Sequence, residues 1–169
     1  QKSLSEGEKT VQRLCLLAAL NEGLGDYDKT DQVLAQASEL DKTLALSQKV
    51  SVLKKRYDWL NAAEVAIELF KSPDGANSRN AKEIVDLLAR AGNYPEAKKW
   101  VAKWRELSPG SSQSWLTEAQ LCMDRFEYKE AASILQKAAV KFDNDQQVLV
   151  KLITVYELQG SYRDAMRIC

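Results

Sequence analysis

The chain has 169 residues, of which 45% are hydrophobic and 28% charged, and this composition suits helices and is too apolar for a disordered protein. The 24 Lys and Arg residues balance the 24 Asp and Glu residues, so charge gives no general reason to expect nucleic acid or an anionic membrane surface as a partner. No apolar run approaches the roughly 20 residues that a membrane-spanning helix requires.

The chain begins with a polar stretch, residues 1–10, which is predicted to be an N-terminal segment or the end of a preceding helix. Apolar residues then keep helical spacing from Val11 to Leu20 and again from Val33 to Leu40. These two stretches predict an antiparallel pair of helices. The residues expected at its core positions are Leu14, Leu17, Ala18, Leu34, Ala37 and Leu40.

Five turns of one kind recur along the chain. In the clearest of them Gly92 can end a helix in a left-handed conformation, and Pro95 and Glu96 suit the first turn of the next helix. Each turn places an aromatic residue three positions before a small one, and the aromatics are Tyr27, Trp59, Tyr94, Tyr128 and Tyr162. Their spacing of 32, 35, 34 and 34 residues predicts stacked helical hairpins.

The chain resembles the tetratricopeptide repeat (TPR) family, whose repeat is a helix-turn-helix with sparse small and bulky positions. The fourth unit matches most fully, through Trp115, Ala119, Cys122, Ala131, Leu135 and Ala138. The resemblance implies an all-α fold, a right-handed superhelix (α-solenoid) of stacked antiparallel hairpins. It implies a single domain over residues 11–169, with repeats at 11–42, 43–77, 78–111, 112–145 and 146–169, the last truncated. The turn-rich stretch Ser72–Ser78 is then a loop between repeats.

Residues that carry catalysis are missing from the sequence. It has no histidine, which excludes histidine bases, Ser-His and Cys-His pairs and histidine metal sites. Cys15, Cys122 and Cys169 are too far apart in sequence for a CxxC or zinc pattern, and no glycine-rich phosphate loop is present. We therefore expect no enzyme activity, no cofactor and no metal. The odd cysteine count favours a reducing compartment such as the cytoplasm, although the location is otherwise open.

Three tryptophans, Trp100, Trp104 and Trp115, are close enough in sequence to lie near one another. They could form a platform for an apolar anchor of a partner. We favour the alternative that they pack in the core. Cys122, at a core position, is expected to be a small buried hydrophobe.

In TPR proteins the concave face, lined by the first helix of each repeat, usually binds the partner. The resemblance therefore implies a protein-interaction scaffold that holds a peptide or helix of another protein in this groove. The groove residues that helical spacing selects are Lys54, Arg79, Lys82, Asp86, Arg90, Gln113, Thr117, Gln120 and Lys151. Co-chaperones of the family clamp a carboxylate with Lys and Asn, but here Asp86 follows Lys82 where the asparagine should stand. We expect no tight binding of chaperone tails.

Two other functions remain open at this point. The chain could be a regulatory or assembly segment of a larger enzyme or complex, or, more remotely, an RNA-binding helical repeat, although the balanced charge lacks the basic footprint that RNA requires. The truncated last repeat predicts an apolar edge through which the chain self-associates.

Overall fold

The structure is a computed structural model that describes residues 6–143 and 145–168, and within these ranges the chain forms helices and no strand. Cys169 and the start of the polar N-terminal stretch lie outside the described residues. The helices are α1 (Glu6–Gly23), α2 (Tyr27–Leu40), α3 (Lys42–Lys55), α4 (Trp59–Phe70), α5 (Ser78–Arg90), α6 (Tyr94–Leu107), α7 (Gln113–Met123), α8 (Tyr128–Lys141), α9 (Gln146–Leu158) and α10 (Tyr162–Met166).

The helices form two compact units, unit 1 up to Ala91 and unit 2 from Gly92. In unit 1, α1 packs on α2 and α3, and each following helix packs on the next as far as α5. In unit 2 each helix from α6 to α10 likewise packs on the next, and α7 also contacts α9. The predicted all-α fold of stacked antiparallel helices is confirmed.

The five recurrent aromatics are the first residues of α2, α4, α6, α8 and α10. Two residues before each aromatic, the backbone turns left-handed, with φ of +78° at Gly25, +74° at Gly92 and +72° at Gly160. A left-handed residue just after a helix lets the next N–H groups bond to the last free carbonyls. In this way the N–H of Asp26 donates to the carbonyl of Asn21 (2.9 Å).

Two of these turns carry an aromatic residue in the left-handed position instead of glycine. Tyr57 has φ 59° and Phe126 has φ 61°. Their hydrogen bonds match those of the glycine turns, since the N–H of Asp58 donates to the carbonyl of Leu53 (3.0 Å) and that of Glu127 to Cys122 (2.9 Å). The turn geometry is therefore kept despite the steric cost of a side chain there.

Short polar side chains begin several of the second helices. The side chains of Asp26, Asp58 and Asn93 accept hydrogen bonds from the backbone N–H groups of Lys29, Asn61 and Glu96. Such bonds satisfy N–H groups that the helix itself leaves unpaired. Helix, left-handed residue and aromatic thus form one local unit that is repeated along the chain, and three of the described turns add a capping side chain.

The loop between α4 and α5 packs closely against the helix that precedes it. Gly75 is buried, and a Cβ atom at this position would lie 1.8 Å from the carbonyl oxygen of Leu69. Asn80 of α5 donates to the carbonyl of Gly75 (2.9 Å), and the hydroxyl of Ser72 donates to the carbonyl of Leu69 (2.6 Å). Within unit 1 the loop therefore packs as part of the helical stack.

The core of unit 1 includes two clusters of small and branched residues from α1, α2 and α3. They are Val11, Cys15, Ala37 and Ala45, and Ala18, Leu34 and Val52. The prediction that Leu17 and Leu40 are core residues is wrong, because their exposed fractions are 45% and 57%. Leu17 lies on an outward face of α1 together with Leu16 and Leu20, and Leu40 ends α2. Helix α1 also starts earlier than its apolar pattern, at Glu6.

Unit 2 has one large core cluster built by α7, α8 and α9. Its buried residues include Ala119, Cys122, Leu135, Ala138 and Val148, and the exposed fraction of Cys122 is 0% as predicted. Trp100 and Trp104 of α6 are also buried. Trp115 is partly buried and packs against the cluster. The tryptophans therefore belong to the core, as favoured from the sequence.

The part of the chain that the structure describes contains no helix long and apolar enough to cross a membrane.

Candidate interaction surfaces

Unit 1 has a groove on the surface of its first helices, with a cavity volume of about 690 Å³. Helices α3 and α5 supply most of its lining, and α4 contributes its first residue. All five residues that the sequence selects in this unit line it: Lys54, Arg79, Lys82, Asp86 and Arg90. The other lining residues are Ser51, Lys55, Trp59, Glu83 and Leu87. We call this cavity the unit 1 groove.

Two side-chain contacts connect successive repeats within the groove. Lys54 Nζ of α3 lies 2.7 Å from Glu83 Oε1 of α5. The Arg90 guanidinium lies over the Trp59 ring, 5.0 Å from its centre. Both pairs reach across the junction between the second and third repeats, so they hold charged groups in defined places on the walls.

The charge of the groove differs from that of the whole chain. Its lining holds five cations and two carboxylates, whereas the chain as a whole has a net charge of zero. Partial burial between the walls raises the pKa of Asp86 above its usual value, and Glu83 adds to this effect while Lys82, Arg90 and Lys54 oppose it. Asp86 therefore takes up a proton more readily than a free aspartate as the pH falls, and protonation makes the groove still more positive.

The sequence did not assign Trp59 or Leu87 to this surface. Trp59 stands in the recurrent turn and Leu87 in an apolar stretch of α5, so both have the spacing of residues that pack inside. In the structure Leu87 is buried under the lining and Trp59 is half-buried. They add apolar surface to a charged groove. The contact of Trp59 with Arg90 joins two repeats, so it is visible in the structure and not in the sequence.

The remaining predicted site residues lie in unit 2. Gln113, Thr117 and Gln120 are on α7 and Lys151 is on α9, which contacts α7. Gln113 donates from Nε2 to Gln147 Oε1 of α9 (3.0 Å). Gln120 donates from Nε2 to Asp124 Oδ1 (2.7 Å), and Thr117 and Lys151 are half-buried. These residues form a polar surface on two neighbouring helices, which we call the unit 2 polar face.

One group in unit 2 has the composition of a metal site. The donor atoms of Cys122, Glu127 and Glu130 lie within 4.8 Å of one another. Lys98 Nζ lies 3.1 Å from Glu130 and 3.4 Å from Glu127, so an ammonium group already balances these carboxylates. Burial raises the pKa of the Cys122 thiol, which opposes the thiolate form that binds metals. The arrangement is that of a lysine–carboxylate network that joins α6 to α8.

Comparison with known proteins gives structural matches only. No protein-family model and no curated protein sequence matches the chain. Among solved structures, MamA (residues 41 to the end) from Desulfovibrio magneticus RS-1 is 12% identical, with a TM-score of 0.66 over 98% of this chain and 93% of that one. YrrB, described as a TPR protein with an unusual peptide-binding site, is 12% identical, with a TM-score of 0.62 over 97% and 89%. PilF of Pseudomonas aeruginosa is 16% identical, with a TM-score of 0.62 over 97% and 75%.

These three proteins are TPR proteins, and each is matched over nearly the whole of the present chain. At such low identity the likeness concerns the fold. Together with the recurrent turns and the 34-residue period, it shows that the chain has the tetratricopeptide repeat fold, as its sequence resemblance predicts.

Proposed function

We propose that the chain is a non-catalytic scaffold that binds a peptide or helix of a partner protein on the first-helix surfaces of its repeats. The observation that carries this proposal is the unit 1 groove, in which five side chains selected by helical spacing line one cavity. The unit 2 polar face is the corresponding surface of the other unit, with Gln113, Thr117, Gln120 and Lys151.

The chemistry of the groove suits a polypeptide ligand. Arginine and lysine donate hydrogen bonds to carboxylates and to the carbonyl oxygens of an extended segment or of a helix end. The half-buried ring of Trp59 and the nearby Leu87 offer apolar surface beside these donors. YrrB, described as having an unusual peptide-binding site, is a precedent in the same fold.

Asp86 sets a limit on the ligand. It lines the same cavity as Lys82, where a clamp for a terminal carboxylate needs an uncharged amide. An aspartate close to an incoming carboxylate repels it, and the neighbouring cations offset this repulsion only in part. The proposal therefore excludes chaperone tails as tight ligands.

The test is a pull-down from a lysate of the source organism, with bound proteins identified by mass spectrometry. The Arg79→Glu, Lys82→Glu variant reverses two charges of the groove. The Arg13→Glu, Lys71→Glu variant makes the same charge change in unit 1 at two exposed residues outside the groove. We expect the groove variant to lower capture of a specific partner about tenfold or more and the control to leave it unchanged.

Circular dichroism must show that both variants are folded before their captures are compared. Equal capture by all three proteins would contradict binding in the unit 1 groove. A peptide from the captured partner should then bind the purified chain in calorimetry with the same dependence on Arg79 and Lys82.

A further inference from the structure

An arginine stacks on the turn aromatic of the preceding repeat at three places. Arg56 lies 4.7 Å from the centre of the Tyr27 ring, and Arg90 lies 5.0 Å from that of Trp59. In unit 2, Arg125 lies 5.8 Å from the centre of the Tyr94 ring. In each pair the ring begins the second helix of one repeat and the arginine follows or ends the first helix of the next. The fold thus repeats one guanidinium-on-ring contact.

The next ring in this series is Tyr128, and the corresponding residue is a glutamine. Arg56 and Arg125 stand directly before the left-handed residues Tyr57 and Phe126, and Gln159 stands in the same place before Gly160. A glutamine side chain has no charge and no guanidinium plane to lay on the ring. Among the described residues, no cation lies over Tyr128 as the arginines lie over the other rings.

A surface depression of about 600 Å³ lies at this place in unit 2. We call it the Tyr128 depression. Phe126 packs edge-to-face on Tyr128, with ring centres 6.1 Å apart. The exposed fractions of Phe126 and Leu158 are 77% and 50%. The remaining lining residues are Glu127, Lys129, Glu130, Gln159 and Ser161.

Phe126 holds its exposed position at a cost in backbone energy. Its φ of 61° is one that glycine adopts freely and a phenylalanine does not. The ring is not retained for burial, since most of its surface is open to water. Phe126 therefore adds exposed aromatic surface to the lining of the depression.

Carboxylates line the depression beside its rings. Glu127 and Glu130 contact Lys98, and Glu127 also pairs with Arg125 (2.9 Å). Each carboxylate has about four acceptor positions, so these contacts leave room for another donor. The Arg56 site in unit 1 has the same combination, because its guanidinium stacks on Tyr27 while it donates to Glu22 and Asp31.

We infer that the Tyr128 depression binds an arginine side chain of a partner protein. The guanidinium lies over the Tyr128 ring, as Arg56, Arg90 and Arg125 lie over the rings of the other repeats, and donates to Glu127 or Glu130. The partner segment is basic, in contrast to a ligand of the cationic unit 1 groove. This second site is separate from the proposed groove function and survives if that proposal fails.

The test uses the full chain labelled with ¹⁵N and the peptide acetyl-Gly-Ser-Arg-Ser-Gly-amide. Titration should shift the backbone amide signals of residues 126–130 and 158–161. The same peptide with citrulline, which has the shape of arginine without its charge, should shift them much less.

The decisive variant is Gln159→Arg, which supplies the missing arginine from within the chain. It should weaken peptide binding about tenfold or more, because its own guanidinium takes the place over the ring. The control is Gln146→Arg, which adds the same charge at an exposed position of α9 away from the depression. It should bind the peptide as the native chain does.

Several outcomes would overturn the inference. These are the absence of shifts at millimolar peptide, equal shifts with citrulline, and undiminished binding by Gln159→Arg. Shifts of the same amides that depend on protein concentration without peptide would assign the depression to a second copy of the chain, and would also overturn it.

Discussion

Gly23 and Gly25 lie two residues apart at the first turn, and their backbone conformations differ, one being helical and the other left-handed. Gly23 is the last residue of α1, whereas Gly25 has φ +78°. A Cβ atom at either position meets no heavy atom within 4 Å, so a substitution acts through the backbone alone. This pair separates conformational strain from packing.

We predict that Gly25→Ala and Gly23→Ala change stability in opposite directions. Gly25→Ala should lower the free energy of unfolding by about 1–2 kcal/mol, because an alanine is strained in the left-handed region. Gly23→Ala should raise it by roughly 0.5–1 kcal/mol, because alanine restricts the unfolded chain and suits a helix. Urea unfolding followed by circular dichroism measures both. A change of the same sign in the two variants would show that backbone conformation does not decide these positions.

Tyr57 and Phe126 show what could not be predicted at the scale of single residues. The sequence indicates a turn before Trp59 and before Tyr128 from the aromatic and the small residue alone. It contains no glycine at these two turns, so residue preference alone does not predict a left-handed backbone there. The hydrogen bonds of the whole turn impose this conformation, and they overrule the preference of the residue.

At the scale of helices, the first two repeats are joined by a nearly buried ion pair. Arg56, which follows α3, donates from Nε and Nη2 to both carboxylate oxygens of Glu22 in α1, at 3.0 and 2.8 Å. The Glu22 side chain is only 4% exposed. Arg56 also lies on the Tyr27 ring. Hydrogen bonding to Glu22 is the main cause that raises the pKa of Arg56, so the guanidinium stays charged throughout the usual pH range.

We predict that Arg56→Ala lowers the free energy of unfolding by about 3 kcal/mol, because it leaves the Glu22 carboxylate buried without a partner. Arg56→Lys should recover only part of this loss, since an ammonium group cannot make the bidentate contact. Urea unfolding is again the measurement. The control Lys29→Ala removes an ion pair with Asp26 that water surrounds, and it should leave the unfolding midpoint unchanged. Equal effects of Arg56→Ala and Lys29→Ala would show that water screens the Arg56 pair as well.

The predicted turns and helix pairs depend on local signals, and most of them are confirmed. Recurrent aromatics, capping residues and apolar spacing act within a few positions of each other, so the sequence alone contains them. Leu17 and Leu40 fit the apolar spacing as well as Ala18 and Leu34 do, and they are nevertheless exposed. Helical spacing identifies a face of a helix, but it does not say whether another helix covers that face.

The same distinction applies to the candidate sites. The five groove residues of unit 1 follow from helical spacing, because a cavity between two neighbouring first helices is lined by one face of each. The Tyr128 depression does not follow from spacing. It depends on Gln159, whose side chain is uncharged and shorter than that of arginine. The arginine contacts of the other repeats show that a guanidinium is missing over the Tyr128 ring.

At the scale of the molecule, each repeat is stabilised mainly by its neighbours, so local stability should follow the number of helices packed against each helix. In the described residues α8 packs on both α7 and α9, and α4 on both α3 and α5, whereas α10 packs on α9. We predict that native-state hydrogen exchange read by mass spectrometry protects α8 more strongly than α10. Within α8 the slowest amides should be those near Leu135 and Ala138, which are fully buried.

The comparison of α10 with α8 in the same sample is internally controlled, since both are in unit 2 and experience the same solvent. Equal protection of α10 and α8 would mean that unit 2 opens only as a whole, and that its stability is not the sum of contacts between neighbouring helices.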